Sequence, residues 1–463
     1  RIDCKHKQLI GNIMAEGESS DDLQTLIRID DLEGIQEENE SNPPSMTALL
    51  QPSNPSWMLP LQCAALITVT TALVIILPPY LEAVNISGDA YSALIFTSVF
   101  STFPILLYVQ LRYSYFCQFM RLGPPNPACV LKIGMFYGLS GLMIINSLDR
   151  KRVVCHAQEP LMGLIVMYMI IIYFFYKGPE LISGKMFCLC GVLCGLFLAM
   201  DFQLNNVYLC RGVARMQASD DGGEWSGQTH ALWTIVYTAA LFLFTWTWLM
   251  LEKEIVTKQC GSGGVSLVAT VSGGMTANNS DTEALIVGSS HPGQGTTPAK
   301  WGIYMVWFTL ASLTTIVVLF WTDFFPALGK GTSSSFVKLT SEGLGCHFRW
   351  GSECGPTAMY GWMFAVLHIA FLVLLGQVVS SSGSMIYALS VSSVSLPLTG
   401  LWWSLFRMGG SLGIEWYPQV TGELIFSMLG LPLMVFCLAF WANLDKQDRL
   451  RSNNFQLSSS TTT

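Results

Sequence analysis

Ten separate apolar stretches of about bilayer-spanning length, roughly 20 residues each, lie between Leu59 and Trp441. They run Leu59–Tyr80, Tyr91–Leu111, Ala128–Ser147, Val154–Tyr176, Lys185–Phe202, His230–Met250, Trp301–Trp321, Thr357–Val378, Gly383–Phe406 and Gly422–Trp441. In hydrocarbon every backbone polar group needs a partner within the protein, so these stretches predict a bundle of membrane helices. Several carry proline, glycine or serine in their middles. Such interruptions are tolerated at membrane depth only where they face protein or a watery cavity. The expectation is an all-α polytopic protein with a permeation pathway for a small solute.

Charge is segregated. Only 12% of the residues are charged and 51% are hydrophobic, against about 25% charged in an average soluble domain. Residues 1–58 hold 11 acidic and 4 basic residues, the whole net charge of −7. A neutral bundle with one acidic tail gives no reason to expect a nucleic-acid partner. The tail is rich in Ser and Asn and poor in aromatics, and reads as a disordered cytosolic segment. No apolar h-region precedes Leu59, so the first span is expected to act as the targeting signal. The first half of the bundle is assigned to 59–250, which holds five spans and the sixth. A Gly/Ser/Thr-rich linker follows at 251–300. The second half occupies 301–441 and contains a loop at 322–356 with enough aromatic residues to be ordered. A cytosolic tail, 442–463, ends the chain.

With the N-terminus cytosolic, the cytosolic helix ends collect 11 Lys and Arg and the opposite side 9, a small bias in the positive-inside direction. Two further signals agree. Asn85-Ile86-Ser87 is a glycosylation sequon placed in the first exofacial loop. Cys346 and Cys354, eight positions apart with Gly351 between, fall on the same side and are expected to form a disulfide.

The chain also repeats itself. Pro160-Leu161-Met162-Gly163 in span four is followed by Ser183-Gly184 at the start of span five. Pro397-Leu398-Thr399-Gly400 in span nine is followed by Thr421-Gly422 at the start of span ten. The interval from Pro to hydroxyl residue is 23 in one half and 24 in the other. A five-plus-five duplication places its copies in opposite membrane orientations, the inverted-repeat plan of many secondary transporters.

Gly343-Leu344-Gly345-Cys346-His347-Phe348, then Cys354-Gly355, then His368-Ile369-Ala370-Phe371 and Val394-Ser395-Leu396-Pro397-Leu398 resemble one family. It is the chloroquine-resistance-transporter-like (CRT-like) family of the drug/metabolite transporter superfamily. The resemblance is densest from Phe325 to Gly400. It implies ten helices as two inverted five-helix repeats with both termini cytosolic. It also implies proton-linked export of amino acids, short peptides, thiols or cationic metabolites from an acidic or plastid compartment. His368 departs from the Asn expected there, and the loop has one cysteine pair where some members have two.

Six residues are candidates for the pathway. His368 lies in the middle of span eight, where an ionisable group is costly unless it meets a cavity or a partner; it is either the coupling group or a neutral interhelical hydrogen-bonder. Glu159, beside Pro160, either pairs with His156 or lines the pathway. Ser392 and Ser395 share a helix face and are candidates for solute contact or for close helix packing. Pro397 predicts a kink. Spans three, four, eight and nine are expected to line the cavity.

Other features have simpler readings. Gly134-x-x-x-Gly138 and Gly191-x-x-x-Gly195 read as close-packing seams. Cys188, Cys190 and Cys194 have no His at ligand spacing and read as apolar fillers, so no metal or prosthetic group is implied. Two alternatives to transport are an intramembrane serine protease, built on Ser140 in Gly138-Leu139-Ser140-Gly141 with His368 as base, and a receptor or scaffold. Asp22, Leu26 and Ile27 form an acidic dileucine pattern in the tail. Clathrin adaptors would read it, and it predicts an endolysosomal or vacuolar membrane. The expected partners are therefore the bilayer, a small solute and, through the tail, adaptors.

Overall fold

A computed structural model describes residues 57–112, 127–149, 152–153, 155–177, 184–205, 227–262, 298–324, 333–349, 354–408, 414–418 and 422–460. The acidic tail with Asp22, Leu26 and Ile27, and most of the central linker, lie outside the described residues. The elements in chain order are α1 Met58–Ser87, α2 Ala90–Arg112, α3 Pro127–Leu148, α4 Cys155–Met162, α5 Leu164–Lys177, α6 Gly184–Asn205 and α7 Gly227–Ser262. The second half follows with α8 Pro298–Val318, a 3₁₀ turn Leu319–Phe324, α9 Ser333–Cys346, α10 Thr357–Ser382, α11 Met385–Ser393 and α12 Ser395–Leu405. A hairpin of β1 Phe406–Met408 and β2 Ile414–Trp416 leads to α13 Gly422–Ser460.

The chain is an all-α polytopic membrane protein. Among the described residues nine helical segments are long and apolar enough to cross a bilayer. The tenth predicted stretch is also a helix, α6, whose described apolar part is the shorter Gly184–Met200.

Local chemistry explains where helices break. Pro160 sits near the end of α4, and the chain turns at Gly163 before α5 resumes. In span nine the break falls at Val394, whose N–H reaches back to Val391 O at 3.2 Å. Pro397 has no N–H for the carbonyl of Ser393 and its ring crowds that carbonyl, so the helix parts there. The two breaks therefore lie three residues after one matched proline and three before the other. The halves share broken helices, but not an equivalent hinge residue.

Helix pairings recur in mirrored form across the chain. Spans five and ten pack on each other as α6 and α13, and spans two and seven as α2 and α8. The pair α3–α8 is mirrored by α10–α2, the pair α2–α3 by α8–α10, and the pair α4–α6 by α12–α13. Glycine permits the closest of these approaches. A methyl group on Gly134 would lie 2.6 Å from Ala311 Cβ, and one on Gly138 would lie 2.7 Å from Ser312 O, both on α8. Gly191 is covered by Cys437, and Gly195 by Gly430 and Met434. Both predicted glycine seams face a helix of the other half. At the end of the α6–α13 seam, Lys185 pairs with Asp445 at 2.5 Å and Asp448 at 3.1 Å.

Three boundaries differ from the sequence expectation. α1 continues through Pro78 and Pro79 to Ser87, so the Asn85 sequon lies on the last turn of a helix, half-buried, and not in an open loop. Helical hydrogen bonding carries α7 to Ser262, into the stretch assigned to the linker, and α13 to Ser460, into the C-terminal tail. The loop at 322–356 holds a helix, α9, which packs on α2.

Candidate functional site

His368 sits on α10 and bridges two neighbouring helices. Its Nδ1 lies 2.7 Å from Ser101 Oγ on α2, and its Nε2 lies 3.2 Å from the Tyr137 hydroxyl on α3. Ser101 Oγ itself donates to Thr97 O at 2.6 Å. With that proton committed, Nδ1–H donates to Ser101 and Nε2 accepts from Tyr137, which assigns a neutral imidazole. The chain of donors thus runs from Tyr137 through the ring to Ser101 and the Thr97 carbonyl.

Aromatic packing holds this geometry. Phe364, one turn before His368, lies parallel to the imidazole with centroids 6.5 Å apart. Tyr137 is wedged against Phe308 of α8 at 4.7 Å and Trp248 of α7 at 5.6 Å. Trp248 and Phe308 are fully buried. The polar point is therefore set in an apolar wall contributed by both halves, where a mispaired proton is costly.

Such an arrangement has a definite chemical consequence. A proton arriving at Nε2 converts the acceptor into a donor. The Tyr137 hydroxyl must then turn or move away, because two donors now face each other. Changing the protonation of His368 therefore changes the hydrogen bond between α10 and α3.

The other sequence candidates lie elsewhere. Glu159 is half-buried on α4, and its carbonyl accepts from Gly163 N at 3.3 Å; the carbonyl of its neighbour Gln158 accepts from the Tyr237 hydroxyl of α7 at 3.4 Å. The side chain of His156 is outside the described residues. Ser392 Oγ donates to Leu389 O and Ser393 Oγ to Ser390 O, each at 2.7 Å, while Ser390 Oγ donates to Ile386 O at 2.7 Å. These serines satisfy carbonyls of their own helix just before it breaks, a back-bonding role. Ser395 is buried at the first turn of α12, and Pro397 beside it is buried too. Pro160 is half-buried.

Ser140 is fully buried and donates to the Tyr137 carbonyl at 2.8 Å. The hydroxyls at His368 are those of Ser101 and Tyr137, so the Ser140–His368 arrangement is not assembled. Cys346 and Cys354 do meet, at disulfide distance with Cα atoms 5.2 Å apart. Among the described residues no cluster of three or more His, Cys, Asp or Glu side chains could hold a metal ion.

Sequence reasoning missed Ser101 and Tyr137. Both are polar residues in otherwise apolar spans, the signal that singled out His368. Their meeting with His368 depends on residues 267 and 231 positions apart. The chain matches no protein-family model and no curated protein.

Proposed function

We propose that this protein is a secondary transporter of CRT-like architecture, which moves small solutes such as amino acids, short peptides, thiols or cationic metabolites. Protons drive export from an acidic organelle, by alternating access of two inverted five-helix halves. The observation that carries the reading is His368, held by hydrogen bonds to α2 and α3 within a wall drawn from both halves. A coupling group must feel the proton and the helix arrangement together, and this imidazole is placed to do so. The mirrored helix pairings support the repeat, and the resemblance around Phe325–Gly400 supports the family. Glu159, Ser392 and Ser395 remain candidates for the pathway, and Asn85 for glycosylation.

Proteoliposome uptake with an imposed pH gradient tests this, using amino acids, short peptides and thiols as substrates. Uptake that follows the gradient and is abolished by dissipating it is the expected result. Binding of solutes without accumulation would favour a receptor or scaffold. One hydrolytic reading has an observation behind it, the 2.7 Å approach of Ser101 to His368. Its polarity is wrong for a base, since the ring donates to the serine; covalent labelling of Ser101 by a fluorophosphonate would establish it instead.

A further inference from the structure

A second histidine lies outside the spans. His347 follows α9 directly and is completely buried. Its Nδ1–H donates to Gly343 O at 2.7 Å, which leaves Nε2 to accept from the Tyr80 hydroxyl of α1 at 2.7 Å. Phe96 of α2 stacks on the ring with centroids 4.2 Å apart. Trp362 Nε1 of α10 donates to the His347 carbonyl at 3.0 Å. Gly361 leaves the ring its space, since a methyl group there would lie 2.6 Å from Cδ2. The disulfide partner Cys346 is the adjacent residue, so the covalent clasp and the wedged ring act on the same few residues.

We propose that His347 is a proton-binding latch, which pins the segment Gly343–Arg349 onto the ends of α1, α2 and α10 while neutral and releases it when protonated. An incoming proton lands on Nε2, because Nδ1 already carries one. There it meets the Tyr80 O–H, reverses that hydrogen bond, and places a cation on a buried ring between Phe96 and Tyr80. The titratable groups on the packed elements offer little compensation. Tyr80 is neutral, Tyr360 of α10 is buried, and α2 presents Phe96 and Phe100. Glu82, Lys338, Glu342 and Arg349 are solvent-exposed. Asp89 is buried in the α1–α2 turn, beside Gly88, which packs on the Gly343 backbone.

Burial pulls the imidazole down to about 4 in the closed loop, against 6.5 when free, despite its bond to the Gly343 carbonyl. The lowered value fixes the sign. Closure is fully favoured above about pH 6.5 and weakens as pH falls toward about 4. Between pH 7 and pH 5 the ratio of open to closed loop should rise about 20-fold. His368 lies seven residues beyond Gly361 on α10, about 10 Å deeper at 1.5 Å per residue. The latch thus lies about two helical turns from that site along α10, and its opening does not depend on what is transported.

Hydrogen–deuterium exchange of the purified full chain tests it, read on peptides covering Gly343–Arg349 and Thr357–Phe364 and corrected for intrinsic exchange. Wild type should open about 20-fold more at pH 5 than at pH 7. His347→Gln should lose that rise, whereas Tyr80→Phe should open more at both pH values and keep it. Equal wild-type protection at both pH values overturns the proposal without any variant. A rise that persists in His347→Gln also overturns it, because the titrating group is then another one. No transport is measured, so the result stands apart from the solute reading.

Discussion

Replacing His368 by Asn and Tyr137 by Phe, singly and together, measures how firmly the protonatable ring is tied to α3. Tyr137→Phe removes one hydroxyl and keeps the ring against Phe308 and Trp248. Interhelical hydrogen bonds in membranes average about 0.6 kcal/mol and reach about 1.7 kcal/mol. At 3.2 Å the Tyr137–His368 bond is a long one, so the loss should be about 0.5 kcal/mol. His368→Asn is more costly. Its shorter side chain keeps polar contact with Ser101 but withdraws from Tyr137, and a buried hydroxyl without an acceptor costs about 1–3 kcal/mol. The double variant removes that orphan. It should therefore be more stable than the sum of the single changes implies, by about 1.5–3 kcal/mol. Reversible unfolding in mixed micelles gives the four stabilities, and proteoliposome uptake at pH 5 and pH 7 gives the functional side. His368→Asn should flatten the pH dependence of uptake in that range, while Tyr137→Phe retains it. Additivity within about 0.3 kcal/mol, with an unchanged pH profile in His368→Asn, would refute the coupling argument.

Three other outcomes are expected. Cys346→Ser should destabilise the loop by about 2.5 kcal/mol from chain entropy alone; in the unreduced parent both thiols should resist alkylation, and free thiols there would contradict the bond. Gly430→Val should cost about 1–3 kcal/mol, because even a methyl group would meet Ala199 Cβ at 2.8 Å. A thermal unfolding shift reads it, and an unchanged midpoint would mean that α6 and α13 are free to separate. Leu26→Ala with Ile27→Ala should move a tagged chain out of acidic organelles to the cell surface, judged by microscopy; a double variant that stays with the parent removes the sorting motif.

The amino-acid order by itself determined the membrane class and the position of nearly every helix, because a bilayer leaves the backbone one local solution and marks each span by its apolar length. It also determined where helices are weak. The missing N–H of Pro397 is a covalent fact, and a break at Val394 follows from it. The matched prolines and glycines of the two halves were legible for the same reason, because their effects are local. α1 ran past its expected end at Tyr80 because helical hydrogen bonding continues beyond the apolar stretch, through Pro78-Pro79 to Ser87. Tertiary structure alone decided the site. Polar residues in the middle of spans are many, and which of them meet is fixed by helix rotation and crossing, which no local pattern encodes. Ser140 and Tyr137 lie on one helix three residues apart, yet only the tyrosine hydroxyl reaches His368, while the serine bonds its own helix. His347 makes the same point. Its sequence context identified the cysteines beside it, but its burial required α1, α2 and α10 to converge on one ring.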